Sequence, residues 1–283
     1  MRSTTNPHQS GMAVSGQRSH GQTPDAALLQ VQDVTLSFGG IKALTDVTLS
    51  ARSGEVTAII GPNGAGKTSL LNSISGFYRP QQGRILLKGQ ELIGEPAWKR
   101  PQLGIARTFQ NIALFPGLSV IENIKLGAHI RLRSGVFSAM WFRGRAAAEE
   151  AALTAKIDAE LIEIFGLAEV RNADVSTLPY GVQKRVELAR AVVSGAALLL
   201  LDEPVAGMNQ AEKADMAVAI SNCVRDLGST VVLIEHDMPT VMEISSQIHV
   251  LNFGQVICSG TPAQVQADPR VIEAYLGAGE DAA

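Results

Sequence analysis

The sequence predicts an α/β fold in which helices cover the faces of a parallel sheet. Two observations carry that reading. Strand-like and helix-like stretches alternate through the second half of the chain, and a glycine-rich turn directly follows a short, continuously apolar run. A length of 283 residues suits about two domains, or one large domain with an insertion. Hydrophobic residues make up 46% and charged residues 18%, enough apolar material for a packed core, which excludes a wholly disordered chain.

The elements follow in order. Residues 1–27 are rich in Ser, Gly, Gln, Thr and His and lack the apolar stretch of a secretory signal, so they read as a flexible tail. The stretch 28–38 alternates apolar and polar residues like a half-buried strand. Gly39-Gly40 marks a turn, and 43–49 alternates again. In 55–60 every residue after Glu55 but Thr57 is apolar, as in a strand covered on both faces, and 84–88 adds a short strand. Leu153, Ile157, Leu161, Ile164 and Phe165 recur at spacings of three and four, which predicts a long amphipathic helix over about 145–165. Strand and helix signals then alternate: 197–201, 212–227, 230–234 and 239–244. The helical middle is thus an insertion into an α/β core. Thr261-Pro262 and Asp268-Pro269 each start a helix near the end.

Charge and cysteine usage narrow the class. Lys plus Arg is 24 against Asp plus Glu 27, a net charge of −3, which leaves no electrostatic footprint for a nucleic-acid binder. The cysteines, Cys223 and Cys258, lie far apart and outside metal-ligand spacing, pointing to a reducing, cytosolic compartment. No apolar run approaches the ~20 residues that a membrane-spanning helix needs.

The chemistry concentrates in four places. Gly61-Pro62-Asn63-Gly64-Ala65-Gly66-Lys67-Thr68, with Ser69 behind it, matches the P-loop pattern G-x-x-x-x-G-K-[ST]. Glycines let backbone N–H groups face inward onto phosphate, the next helix adds its positive end, and Thr68 offers a hydroxyl to Mg²⁺. The run 197–201 delivers Asp202 and Glu203 at a strand's C-terminal end, where open α/β sheets place ligands. Asp202 suits holding Mg²⁺ through its water shell, and Glu203 suits polarising an attacking water. Another apolar strand ends in Glu235-His236-Asp237, from which a neutral His236 can hydrogen-bond a γ-phosphate and the water. Gln110 follows a short extended stretch and offers a neutral amide to Mg²⁺ or to that water. A soluble P-loop kinase would explain 61–68 but leave Gln110 and His236 without a role.

These elements, in this order, resemble the ATP-binding cassette (ABC) family of transport ATPases over residues 28–277. The resemblance implies a P-loop NTPase (RecA-like) core, an N-terminal antiparallel β subdomain, and a helical subdomain inserted at about 111–182; 278–283 is then a short tail. It implies ATP and Mg²⁺ as ligands, Phe38 as the adenine platform unless it is an ordinary core aromatic, Gln110 as the Q-loop glutamine, and His236 as the switch histidine. The family signature, usually Leu-Ser-Gly-Gly-Gln, falls on Leu178-Pro179-Tyr180-Gly181-Val182, so Tyr180 and Gly181 face a partner's ATP. Asn209 stands where Asp is usual, and Pro179 has neither hydroxyl nor N–H, a lack in the signature that points to an asymmetric heterodimer.

Arg107-Thr108-Phe109-Gln110, Gly135-Val136-Phe137-Ser138, 204–209 and the ending 260–277 resemble ATPase subunits of branched-chain amino acid importers. That resemblance implies two membrane permease subunits, a second non-identical ABC ATPase, a periplasmic solute-binding protein acting indirectly, and a peripheral place on the cytoplasmic face of the bacterial inner membrane. Related importers carry urea, amides or other amino acids. A nucleotide-gated subunit with little hydrolysis is the alternative that Pro179 raises. The apolar run 114–121 is expected to be either part of the permease-docking surface or the packed face of a helix.

Overall fold

The alternating pattern of 27–52 folds as an antiparallel pair. In the computed structural model, which describes residues 27–108, 113–128 and 143–277, β1 (Ala27–Phe38) pairs with β2 (Ile41–Arg52). With β4 (Gln82–Leu87) and β5 (Gln90–Glu91) they form a four-stranded antiparallel sheet in the order β2-β1-β4-β5.

A second sheet holds β3 (Val56–Ile60), β6 (Ile105–Arg107), β7 (Leu198–Asp202), β8 (Thr230–Ile234), β9 (Gln247–Asn252) and β10 (Gln255–Gly260). Their order is β10-β9-β3-β8-β7-β6. Neighbours from β9 to β6 run parallel, and β10 is antiparallel to β9. The β9–β10 hairpin is absent from the sequence reading, so the expected parallel sheet is mixed at one edge. Its turn uses Phe253 and Gly254, both at positive φ, a backbone state that Phe rarely signals.

The parallel strands separate two cores. Ala58, Ile60, Leu199, Leu201, Val231 and Leu233 pack into one hydrophobic cluster with the helices. Ile59, Leu198, Leu200, Val232 and Ile234 alternate into the other, against the antiparallel sheet and α1 (Lys67–Ile74). Burial on both faces explains why these strands read as unbroken apolar runs.

The middle of the chain contributes α2 (Val120–Ala128), α3 (Arg143–Lys156) and α4 (Tyr180–Val192). The helix expected over 145–165 is present but changes pitch: α3 passes into a π-helical segment, Ile157–Ile162. The wider turn brings Ile157, Leu161 and Ile162 into the core together, beside Phe165. The run 114–121 divides by residue: Val120 and Ile121 at the start of α2 are buried core, while Phe115 is exposed.

Four further helices complete the described chain. These are α5 (Gln210–Arg225), α6 (Met238–Ile244), α7 (Pro262–Gln266) and α8 (Pro269–Gly277). The start signals read from sequence act as caps. Gln264 accepts from the Thr261 N–H at 2.9 Å, and Asp268 accepts from the Arg270 N–H at 2.9 Å. Cys223 is free and buried, and burial pushes its thiol up to about 12, which removes it from nucleophilic chemistry.

Candidate functional site

Strand order makes the site. Because β8 lies between β3 and β7, the loops leaving the C-terminal ends of these three parallel strands are neighbours. They carry the glycine-rich loop, the pair Asp202-Glu203, and Glu235-His236-Asp237.

The first loop is shaped by where a side chain will not fit. A Cβ on Gly61 would lie 2.0 Å from the Leu251 carbonyl oxygen, and one on Gly66 would lie 2.6 Å from that of Ala43. Both residues hold positive φ, so two independent constraints demand glycine there. The Ala65 N–H donates to the Pro62 carbonyl at 3.2 Å, closing a turn before α1 begins at Lys67. The Lys67 ammonium folds back onto the loop, donating to the carbonyls of Gly61 (2.7 Å) and Pro62 (2.9 Å). Burial lowers its pKa, and the charges of Glu203 and Asp202 partly offset that. Asn63, Gly64, Thr68 and Ser69 complete the cradle and the first turn of the helix, whose N-terminus suits a phosphate.

Glu203 has φ +50, a left-handed backbone that costs a non-glycine residue on the order of 1 kcal/mol. Its N–H donates to the Ile234 carbonyl at 2.9 Å, locking the end of β7 to the end of β8. Glu203 Oε1 then stands 3.8 Å from His236 Nδ1, and the imidazole is 63% exposed, open to a substrate. Glu235 holds both loops from beneath. Its buried carboxylate accepts from the N–H groups of Val205 (2.9 Å), His236 (2.9 Å) and Asp237 (3.3 Å). Asp237 caps α6 through Thr240 and pairs with Lys213 of α5.

Among the described residues the Asp202 carboxylate has one hydrogen-bond partner. Arg107, at the end of β6, donates to Oδ2 at 2.9 Å. The donor set around the loop, a Thr68 hydroxyl and the other Asp202 oxygen, consists of hard oxygens and fits a hydrated divalent cation such as Mg²⁺. Gln110, expected to share that ion, lies outside the described residues, as do Gly135-Val136-Phe137-Ser138.

The remaining expected residues come from other elements. Phe38, at the end of β1, is 46% exposed and meets Tyr78 edge to face at 4.9 Å, so it is not a core aromatic. Tyr180 and Gly181 open α4 behind Pro179. Tyr180 is exposed beside Gly207, and the Gly181 N–H donates to Glu212 of α5 at 3.2 Å. Sequence reasoning gave Glu235 and Arg107 no role. A carboxylate between an apolar strand and His-Asp was the visible signal for the first; the second had none, because its hydrogen-bond partners are 32 to 95 positions away.

Comparison with known proteins agrees with this geometry. The family model described as "ABC transporter" matches residues 44–206, and one described as "Branched-chain amino acid ATP-binding cassette transporter" matches 255–281. The chain is 42% identical over 255 residues to the high-affinity branched-chain amino acid transport ATP-binding protein LivG of Escherichia coli K12, covering 88% of this chain and 98% of that protein. It is 40% identical over 250 residues to BraF of Pseudomonas aeruginosa, with the same coverage. Among solved structures, MJ1267, an ATP-binding cassette of an ABC transporter, superposes with a TM-score of 0.75 at 28% identity, covering 88% of this chain and 98% of that one.

Proposed function

The chain belongs to the ABC transporter family, and we propose that within it this protein is an ATP-hydrolysing subunit of an importer for branched-chain amino acids. The observation that carries the reading is the convergence of Lys67, Asp202, Glu203 and His236 on three adjacent strand ends. The relatives support the choice of solute by their names and by similarity over nearly their whole length.

In this reading the loop N–H groups and Lys67 neutralise charge on the transferring phosphoryl group of ATP. Thr68, Asp202 and Gln110 would hold Mg²⁺, which would supply further charge neutralisation to the phosphates. Glu203 accepts a proton from the attacking water, and His236 orients that water and the γ-phosphate. Phe38 stacks on adenine. Tyr180 and Gly181 approach the ATP held by a partner cassette, across a dimer in which the partner is a second, non-identical ABC ATPase.

The domain spans 28–277, with the helical part at about 111–182 carrying closure to two membrane permeases and, through them, to a periplasmic binding protein. Among the described residues no helix is long and apolar enough to cross a membrane, and attachment to the cytoplasmic face of the inner membrane through the permeases fits that. A cavity of about 250 Å³ beside β6, lined by Phe77, Pro101, Arg107, Glu187 and Arg190, is one place for a permease segment.

The experiment is purification of the tagged protein from detergent-solubilised native membranes, with every accompanying chain identified by mass. Two membrane chains and a second ATPase are expected, with ATPase activity raised by leucine, isoleucine or valine and the binding protein in liposomes. A homodimer without membrane chains would overturn the assembly.

A further inference from the structure

Arg107 joins four parts of the molecule through one side chain. Its Nη2 donates to Asp202 Oδ2 at 2.9 Å, and Nη1 donates to Asn72 Oδ1 at 2.7 Å and Ser75 Oγ at 3.0 Å. Asn72 lies in α1 and Ser75 ends it, so the guanidinium ties the strand-end carboxylate to the helix that begins at Lys67. Its central carbon lies over the Phe77 ring, 5.6 Å from the centroid, within cation–π range. Both partners of the ion pair are nearly enclosed, the Arg107 and Asp202 side chains being 10% and 12% exposed.

The shape of the group matters as much as its charge. Only a planar fork can donate to three acceptors in different directions while lying over a ring; an ammonium on a lysine stem cannot span Asp202, Asn72 and Ser75 together. The charge has an opposite consequence. A guanidinium fixed on one oxygen of a sheltered carboxylate repels any cation approaching the other oxygen, and sparse water leaves that repulsion weakly screened.

We propose that Arg107 is a positioning residue that fixes the orientation of the Asp202 carboxylate and, by its charge, holds down the affinity of that carboxylate for a divalent cation. The inference rests on Asp202 being the metal-holding carboxylate. It predicts opposite signs for two quantities when Arg107 is neutralised: cation binding tightens while turnover falls. A side chain that merely supports the fold would weaken both together.

The test is an electron paramagnetic resonance titration of Mn²⁺ into the full-length chain with saturating ATP, beside steady-state kcat and KM of the assembled complex. For Arg107→Gln, the expected result is Mn²⁺ binding about tenfold tighter with kcat about tenfold lower. Arg107→Lys keeps the charge and loses the fork, so Mn²⁺ affinity stays within about twofold while kcat falls as before. Asp202→Asn weakens Mn²⁺ binding, and adding Arg107→Gln to it brings no tightening. Unchanged or weaker Mn²⁺ binding in Arg107→Gln, with Asp202→Asn still weakening it, overturns the role of Arg107 alone. An Asp202→Asn chain that binds Mn²⁺ like the native one overturns the metal reading and this inference with it. If Arg107→Gln fails to fold, Arg107→Lys decides: retained Mn²⁺ affinity with lowered kcat supports the proposal, and native kcat overturns it.

Discussion

The ends of β7 and β8 and the start of α4 handle their backbone donors in opposite ways. At the strand ends one buried carboxylate, Glu235, takes up the N–H groups of Val205, His236 and Asp237, so the loops are fixed while the His236 ring stays exposed. At the start of α4, Pro179 has no N–H and the Gly181 N–H is taken by Glu212. At the first surface an internal carboxylate serves as scaffolding while the His236 ring stays exposed; at the second a backbone donor is already engaged within the chain. On the proposed function, the asymmetry expected from Pro179 would take this form: fixed loops for the chain's own nucleotide, and one donor already occupied on the surface toward a partner's.

Three substitutions test the contrast. The largest effect belongs to the open surface: Glu203→Gln should lower turnover of the assembled complex at least about a hundredfold while ATP binding, measured by equilibrium dialysis, is retained. Turnover near the native rate would remove Glu203 from proton transfer. Next comes the scaffold beneath it. Glu235→Ala strands three N–H groups in a buried position and should cost about 3 kcal/mol, read as a lower urea midpoint; a midpoint unchanged from native would show the two loops to be held by other contacts. The smallest effect lies at α4. Glu212→Ala removes the capping partner of α5 and frees the Gly181 N–H, so stability should fall by about 1 kcal/mol. ATP-driven association with the partner ATPase, followed by light scattering, should meanwhile strengthen. Weaker association would mean that Glu212 orders the start of α4 rather than occupying a phosphate site.

Much of this arrangement is legible in the chain because the responsible interactions are local or periodic. The glycine-rich loop announces itself because Gly61 and Gly66 each face a carbonyl that no Cβ could approach. The buried strands announce themselves because both of their faces are covered. The starts of α7 at Thr261 and of α8 at Asp268 are short-range signals of the same kind. The β9–β10 hairpin escaped because Phe253 occupies a turn position that usually advertises itself with Asn or Gly. The π-helical segment escaped because a helix that changes pitch keeps the three-and-four spacing that defines it in sequence.

By itself, then, the sequence determined the α/β class, the family, the glycine-rich loop pattern, and the place of Asp202, Glu203 and His236 just past apolar strands, since each signal depends on residue type at short spacing. Only the tertiary structure decided that β8 separates β3 from β7 and so gathers their loops. It likewise decided that Glu235 carries both loops, that Glu212 holds Gly181, and that Arg107 holds Asp202. These are long-range polar contacts between groups sheltered from water. Charge and hydrogen-bonding capacity are visible in a sequence, but the partner is chosen by the sheet that brings distant strands side by side.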